Sequence, residues 1–185
     1  MSANDDILHY GHSVLRRKAA PVAKLDAEIA DLAARLTSTL ERAGGLGLAA
    51  PQLGAGLCVI AYDIGDGPQV LINPRVAKSE GEQASVEGCL SLPGLYGEVQ
   101  RAERVVVSGR DLQGRAVTSD AGDLLARVLQ HEIDHLQGVL FVDRVDPDTL
   151  YWAVGDAQHD DESQRVPTTL EDALKVFEAR VASRR

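Results

Sequence analysis

Apolar residues recur at helical spacing in three parts of the chain. The first run, with intervals of three or four residues, consists of Ile29, Leu32, Leu36 and Leu40. This spacing places the four side chains on one face of a helix, which would then be buried. Asp26 is a suitable N-cap and Gly44 a suitable terminator, so the pattern predicts a helix between these two residues.

Two later segments have the same periodicity. One is predicted to begin near Ser119 or Asp120 and to continue to Gln137, because Gly138 readily ends a helix. The other lies within residues 169–185, where the apolar positions are Leu170, Leu174, Phe177 and Val181. We therefore expect a C-terminal helix with one apolar face.

Short runs rich in β-branched residues lie between the first two predicted helices. The predicted strands cover residues 58–62, 70–72, 105–107 and 115–118. The last two flank the turn sequence Asp-Leu-Gln-Gly at 111–114, which predicts a hairpin. A helix followed by several strands and a second helix is typical of an α+β domain rather than a βαβ repeat.

Together these elements predict one compact α+β domain. Small, mostly antiparallel sheets would surround the helix near 120–137, and a C-terminal helix would follow. We expect residues 1–150 to form the main domain. Residues 151–185 are predicted to form an acidic linker, chiefly 155–167, and the C-terminal helix, either within the same domain or as an appended tail.

Composition narrows the class of protein. The 185 residues are 44% apolar and 25% charged, which suits one globular domain with its own core. With 19 basic and 28 acidic residues the net charge is −9, so DNA binding through overall charge is not expected. Two cysteines, no signal-peptide pattern and no apolar run of about 18 residues predict a soluble cytoplasmic protein without a membrane segment.

The sequence His131-Glu132-Ile133-Asp134-His135 has the spacing of a metal site. Residues four apart lie on one face of a helix, so His131 and His135 can offer their imidazoles to one ion. Glu132 is then positioned to act as a general base, whereas Asp134 faces away and is expected to be structural. A chance occurrence of this short motif on an exposed helix is the alternative.

A catalytic metal site commonly has three protein ligands, and no residue after His135 is a convincing third. Cys89 offers a thiolate, which is a strong ligand for soft and borderline metals. An inert buried thiol is the alternative for Cys89, and it is the interpretation we choose for Cys58. Nearby, Glu87 could form either a buried or an exposed ion pair with Arg101.

The segment from Gly45 to Gln52 reads Gly-Leu-Gly-Leu-Ala-Ala-Pro-Gln. Its small residues would allow the backbone to approach a ligand closely, and Gln52 has a neutral amide that can donate a hydrogen bond. The alternative is a glycine-rich turn between a helix and a strand, with a solvated glutamine.

The strings GLGLAAPQ, EGCLS and QHEIDHLQG resemble the three signature motifs of the peptide deformylase family, in the same order and at similar separations. The segment from Gly11 to Arg16 also resembles an early G-x-x-V-L-R segment of that family. The resemblance extends from about Ile7 to Asp143, so residues 1–150 are interpreted as a deformylase catalytic domain. It implies hydrolysis of the N-formyl group from N-formylmethionine at the N-terminus of nascent polypeptides, with release of formate.

The same resemblance implies roles for individual residues. The implied ligands of one divalent ion are Cys89, His131 and His135. The expected ion is Fe²⁺ in the cell, with Ni²⁺, Co²⁺ or Zn²⁺ as substitutes. Glu132 would transfer the proton, while the Gln52 amide and the Leu90 N–H would hold the formyl oxygen.

We also predict residues that contact the substrate. The resemblance also implies that Gly45, and with it Gly47, would line the substrate cleft, where a peptide would pair as an added β-strand. Leu129 and Ile133 would form walls of an apolar methionine pocket, and Tyr96 could border it. The resemblance implies N-formylmethionyl peptides and the ribosome as partners, and we expect the chain to be a monomer.

Two other functions are compatible with parts of this pattern. A metallopeptidase would use the same H-E-x-x-H helix, but it would leave Cys89 and Gln52 without a role. A binding protein with a structural metal would usually have four protein ligands, whereas the sequence suggests three and a catalytic type of glutamate.

Overall fold

Three α-helices and nine β-strands form the part of the chain that the structure, a computed structural model, describes: residues 6–154 and 165–182. The helices are α1 (Ala27–Ala43), α2 (Asp123–Leu136) and α3 (Leu170–Ala182). The strands are β1 (Gly47–Ala49), β2 (Val59–Tyr62), β3 (Gln69–Glu80), β4 (Gln83–Cys89), β5 (Leu92–Arg101), β6 (Arg104–Arg110), β7 (Ala116–Gly122), β8 (Tyr151–Ala153) and β9 (Arg165–Pro167). None of the helices in these two ranges is long and apolar enough to cross a membrane.

The strands form two antiparallel sheets. One has the order β1-β2-β3-β6-β7 and the other has the order β4-β5-β8-β9. Helix α2 buries Ala126 and Leu129 in a cluster that includes Ile60 of β2 and Val107 of β6. The predicted α+β fold with small antiparallel sheets is confirmed, and β1 and β4 are each left as the edge strand of a sheet.

Helix α1 has the boundaries that its sequence predicts. The Asp26 side chain accepts a hydrogen bond from the Ile29 N–H at 3.3 Å and caps the first turn. Gly44 ends the helix with φ of 64°, a left-handed conformation that glycine adopts without strain. The periodic apolar residues are buried, which confirms the predicted face.

Helix α2 begins later than predicted. The segment from Ser119 to Gly122 belongs to β7, where it pairs with residues 104–107 of β6. Strand pairing thus extends the predicted hairpin up to the first residue of the helix, Asp123. Strands β4 and β5 are additional to the predicted strands, because Gly88 and Pro93 suggest an irregular backbone around the cysteine.

The C-terminal helix is confirmed as α3. Its residues Ala173 and Phe177 are buried with Leu92 and Leu95 of β5. Of the predicted linker, residues 155–164 lie outside the described ranges, whereas residues 165–167 form β9 and pair with β8. The interpretation of the whole linker as a loop is therefore wrong at its end.

Candidate metal centre and cleft

Two elements bring together the three predicted metal ligands. Helix α2 carries His131 and His135 one turn apart, and Cys89 is the last residue of β4. The donor atoms of the three residues all lie within 4.8 Å of one another, and Cys89 Sγ lies 3.3 Å from His135 Nε2. Sulfur and nitrogen ligands on one tetrahedral ion would be separated by about 3.6 Å. Both the spacing and the donor types therefore fit a divalent transition metal.

His131 is oriented by a buried ion pair. Its Nδ1 lies 2.9 Å from Glu87 Oε2, while Arg101 donates to both oxygens of that carboxylate, at 2.6 and 2.9 Å. Burial alone would raise the pKa of Glu87, but the hydrogen bonds from His131 and Arg101 outweigh it and lower the pKa to about 2. The ionised carboxylate fixes the ring so that the other nitrogen of His131 is the one left for a metal.

The same arginine joins this pair to the far side of α2. Arg101 Nη1 donates to Asp134 Oδ2 at 2.8 Å, and Arg144 donates to both oxygens of Asp134, at 2.6 and 2.7 Å. Asp134 thus points away from the metal donors, as the sequence indicates. Of the two alternatives for Glu87 and Arg101, the structure has the buried pair.

Gln52 lies beside Cys89 with a fixed amide orientation. Its Oε1 accepts a hydrogen bond from the Ala49 N–H at 2.8 Å, so its NH₂ group must face the opposite way. This Nε2 donates to Ser91 Oγ at 3.2 Å and lies 3.7 Å from Cys89 Sγ. Gln52 is buried rather than solvated, and it presents a hydrogen-bond donor beside the metal donors.

The backbone around Gln52 and Ser91 is tied to the start of the chain. The Leu8 N–H donates to the Gln52 carbonyl at 2.8 Å, and the Tyr10 N–H donates to the Ser91 carbonyl at 2.9 Å. One short segment thus bridges the turn that carries Gln52 and the hairpin loop that carries Leu90. The relative position of these two loops is fixed by main-chain hydrogen bonds.

Glu132 directly follows the first histidine of the ligand set and lines the same cleft as that histidine. Its side chain is only 3% exposed, and Oε2 has no hydrogen-bond partner within residues 6–154 and 165–182. Burial raises the pKa of Glu132 to about 7, which suits a group that takes and returns a proton near neutral pH. A buried, unpartnered carboxylate oxygen of this kind is typical of a catalytic position rather than a structural one.

A cleft of about 770 Å³ opens onto this group of residues. Its lining includes Gly45 and Gly47 next to β1, and Gln52, Cys89, Leu90, His131 and Glu132. Residues of both edge strands, β1 and β4, belong to this lining. Three of the larger apolar side chains that are exposed in the structure also line it: Leu46, Val86 and Leu124.

Two predicted substrate contacts are corrected by the structure. Leu129 is fully buried in the core between α2 and the larger sheet, and Ile133 lines a separate cavity of about 480 Å³. Neither side chain is in the lining of the cleft. The positions of α2 that do line it are Leu124, Arg127, Val128, His131 and Glu132.

Two further residues, Arg127 and Ser91, contact the candidate site and are not predicted from the sequence. Arg127 donates to Glu87 Oε1 at 2.6 Å and to the Val99 carbonyl at 3.1 Å. Ser91 is the hydroxyl partner of the Gln52 amide. Arg127 could have been predicted from its spacing, since it lies one helical turn before His131 and thus on the same face of the helix. No feature of the sequence predicts a role for Ser91.

Comparisons with known proteins agree with this geometry. The family model described as polypeptide deformylase matches residues 4–150. A peptide deformylase of Dictyoglomus thermophilum is 46% identical over 145 residues, which cover 78% of this chain and 95% of the relative. One from Desulfitobacterium hafniense is 48% identical over 138 residues, 75% of this chain and 92% of the relative.

Solved structures give the same result. The crystal structure of a peptide deformylase from Synechococcus elongatus in complex with actinonin is similar with a TM-score of 0.74 and 44% identity, covering 76% of this chain and 80% of that one. The peptide deformylase from Thermus thermophilus has a TM-score of 0.73 and 37% identity, with coverage of 96% and 93%. The likeness thus extends over sequence, fold and most of the length of each chain.

Proposed function

The chain belongs to the peptide deformylase family of hydrolases, and from this premise we propose that it hydrolyses the N-formyl group of N-formylmethionine at the N-terminus of nascent polypeptides and releases formate. One observation carries the proposal. The buried carboxylate of Glu132 and the side chain of Gln52 line one peptide-sized cleft with Cys89 and His131, two members of the cluster of three metal donors. Each would have a separate task in amide hydrolysis.

The metal would be held by the thiolate of Cys89 and the imidazoles of His131 and His135. When bound, a divalent ion supplies a Lewis acid that polarises a carbonyl group and lowers the pKa of water. Glu87, Arg101 and the backbone of α2 keep the donors in place without themselves acting on the substrate.

The protein groups around the reacting bond have distinct roles. Glu132 takes a proton from the water that attacks the formyl carbon, and it later gives that proton to the nitrogen of the departing amine. As the C–N bond breaks, the formyl group leaves as formate. The Gln52 NH₂ and the Leu90 N–H donate hydrogen bonds to the formyl oxygen, where negative charge develops.

The cleft supports binding of an extended peptide. A substrate strand between the unpaired edges of β1 and β4 would form main-chain hydrogen bonds with both. The methionine side chain would contact apolar residues of the cleft such as Leu46, Leu124 and Val128. A small space beside the metal would reject the extra methyl group of an N-acetyl peptide.

We further propose Fe²⁺ as the ion in the cell, with Ni²⁺, Co²⁺ or Zn²⁺ as substitutes, because a thiolate and two imidazoles suit all four metals. Cytoplasmic location, a monomeric state and contact with the ribosome are also proposals. Both cysteines are free thiols, which is consistent with a reducing compartment.

The direct test is release of formate from formyl-Met-Ala-Ser by protein that is prepared without oxygen and has a measured metal content. We expect rapid release by the native protein. The Glu132→Ala variant should lose roughly 10²–10⁴-fold in kcat while it retains its metal. Near-native activity of this variant would exclude Glu132 as the base.

Two further substrates separate the competing functions. Unformylated Met-Ala-Ser should not be cleaved, and cleavage of its peptide bonds would favour a metallopeptidase. Acetyl-Met-Ala-Ser should react far more slowly than the formyl peptide; equal rates would contradict the proposed selection against the methyl group.

A further inference from the structure

The smaller sheet has two different faces at the strand pair β5–β8. On one face, Leu95 and Trp152 are paired, and both belong to the apolar cluster that contains Phe177 of α3. On the other face, Tyr96 is paired with Tyr151, and both side chains are partly exposed. Neighbouring residues of a strand point to opposite faces, so the two tyrosines do not contribute to the core beneath α3.

These tyrosines form an ordered row of rings. The ring centroids of Tyr96 and Tyr151 are 5.8 Å apart with an interplanar angle of 21°, a stacked arrangement that is favourable for aromatic pairs. The guanidinium of Arg165 lies over the Tyr151 ring, 4.9 Å from its centroid. We call Tyr96, Tyr151 and Arg165 the aromatic row.

The Tyr96 end of the aromatic row lies next to Gly88 at the edge of the cleft. This glycine is the partner of Tyr96 on the edge strand β4, and a β-carbon on Gly88 would lie 2.5 Å from Tyr96 Cε1. The tyrosine ring therefore occupies the space that a side chain at position 88 would need. Both residues line the cleft, so the ring is present at the edge where a peptide strand would be added.

This placement determines what a bound peptide would meet. Directly opposed residues on neighbouring strands project their side chains to the same face. A substrate residue opposite Gly88 and on that face would find no side chain on β4 and would contact the Tyr96 ring instead. Tyr151 and Arg165 support that ring, and both lie beyond residue 150, where the family match ends.

We propose that Tyr96, supported by Tyr151 and Arg165, is a specificity-determining residue for the peptide downstream of the methionine. The aromatic row favours substrates with an aromatic or large apolar side chain at one of the first two positions after methionine. This inference rests on the proposed deformylase function and deepens it. In this proposal the strands β8 and β9 contribute Tyr151 and Arg165, which support the Tyr96 ring.

The test compares kcat/KM for formyl-Met-X-Ser and formyl-Met-Ala-X peptides, with X as Gly, Ala, Asp, Leu or Phe. At one of the two positions the native protein should prefer Phe and Leu over Gly by roughly threefold to tenfold. Tyr96→Ala should reduce this ratio to about one, while Tyr96→Phe, which retains the ring, should keep it. Tyr151→Ala should reduce the ratio in part.

Val166→Ala is the matched control, since Val166 is an exposed residue of β9. It should leave the ratio unchanged. For all variants, metal content and the circular dichroism spectrum should equal those of the native protein, and Val166→Ala should also retain the native rate on formyl-Met-Gly-Ser.

Three outcomes would overturn the inference while leaving the proposed function intact. The first is a native protein that hydrolyses all the formyl peptides equally. The second is a preference for Phe that survives Tyr96→Ala. The third is a preference for Asp over Phe and Leu in the native protein, which would indicate recognition of charge. No hydrolysis of any formyl peptide would instead contradict the proposed function itself.

Discussion

The α-carbon of Gly47 lies directly against the side chain of Glu132. A β-carbon on Gly47 would lie 2.7 Å from Glu132 Cγ and 2.8 Å from Cδ, and it would be closest of all to Oε1. These separations are too short for non-bonded atoms, so any residue other than glycine must displace the carboxylate. A glycine at position 47 is thus required for the carboxylate of Glu132, the proposed base, to lie where it does.

We predict that Gly47→Ala lowers kcat by roughly tenfold to a hundredfold, because a misplaced base loses part of the 10²–10⁴-fold that proton transfer contributes. Metal content should be unchanged. Steady-state kinetics on formyl-Met-Ala-Ser measure the effect. Gly56→Ala is the control, since nothing lies within 4 Å of a β-carbon at that position. Equal kcat values for the two variants would contradict the prediction.

A second prediction concerns the donor on Gln52. Gln52→Glu retains an oxygen for the Ala49 N–H but replaces the NH₂ group, so kcat should fall by roughly 10²–10³-fold. Ser91→Ala removes only the hydroxyl partner of that NH₂ group and should lower kcat much less. If Ser91→Ala were as damaging as Gln52→Glu, the orientation of the amide rather than its donated hydrogen bond would be the important property.

Removal of one buried charge should lower the stability of the fold far more than removal of an exposed charge. Glu87→Ala leaves the buried Arg101 and Arg127 without their shared carboxylate, which should reduce the free energy of unfolding by about 3–5 kcal/mol. Asp120→Ala breaks an exposed pair with Arg104 and should change stability little. Urea denaturation of both variants measures the difference, and similar midpoints would refute it.

The C-terminal helix offers a test of the domain boundary. Phe177→Ala should reduce the free energy of unfolding by about 3–5 kcal/mol, because the ring is buried with residues of β5. Val176→Ala, at a position that is 39% exposed, should have a much smaller effect. A single cooperative transition in both variants would assign α3 to the main domain, whereas an unchanged midpoint for Phe177→Ala would indicate an appended tail.

Chelation should abolish formate release, and added divalent metal should restore it. Because an ion that binds only the folded state stabilises it, the melting temperature should rise with metal concentration. Cys58→Ala should retain this shift, since Cys58 packs against the core beneath the larger sheet, and Cys89→Ala should lose most of it. A metal-dependent shift that persists without Cys89 would exclude the proposed ligand set.

The sequence predicts the parts of the fold that are specified locally. Helix α1 has its cap, its periodic apolar face and its terminal glycine within one segment. The candidate metal ligands are predictable because a helix fixes the spacing of His131 and His135, because Cys89 offers a thiolate, and because the family resemblance implies all three. The amide of Gln52 is singled out by its glycine-rich segment, but its role at the formyl oxygen, and that of the Leu90 N–H, came from the family resemblance.

The errors arise where distant contacts decide the structure. Each residue turns a helix by about 100°, so Leu129 and Val128 point in quite different directions although both are apolar. Val128 lies three residues before His131 and therefore near its face of the helix, but the apolar pattern alone does not separate the two residues, because both surroundings are apolar. Ser119 to Gly122 form a strand only because β6 lies beside them.

The hydrogen bonds of Leu8 and Tyr10 to the two donor-bearing loops have a consequence for synthesis of the protein itself. Residues 8 and 10 leave the ribosome early, but their partners at 52 and 91 are translated later. The proposed site for the formyl oxygen cannot be assembled until the cysteine hairpin has emerged and this segment has docked. A fusion partner attached at the N-terminus would therefore act close to a segment that joins both halves of the site, which favours tags at the opposite end of the chain.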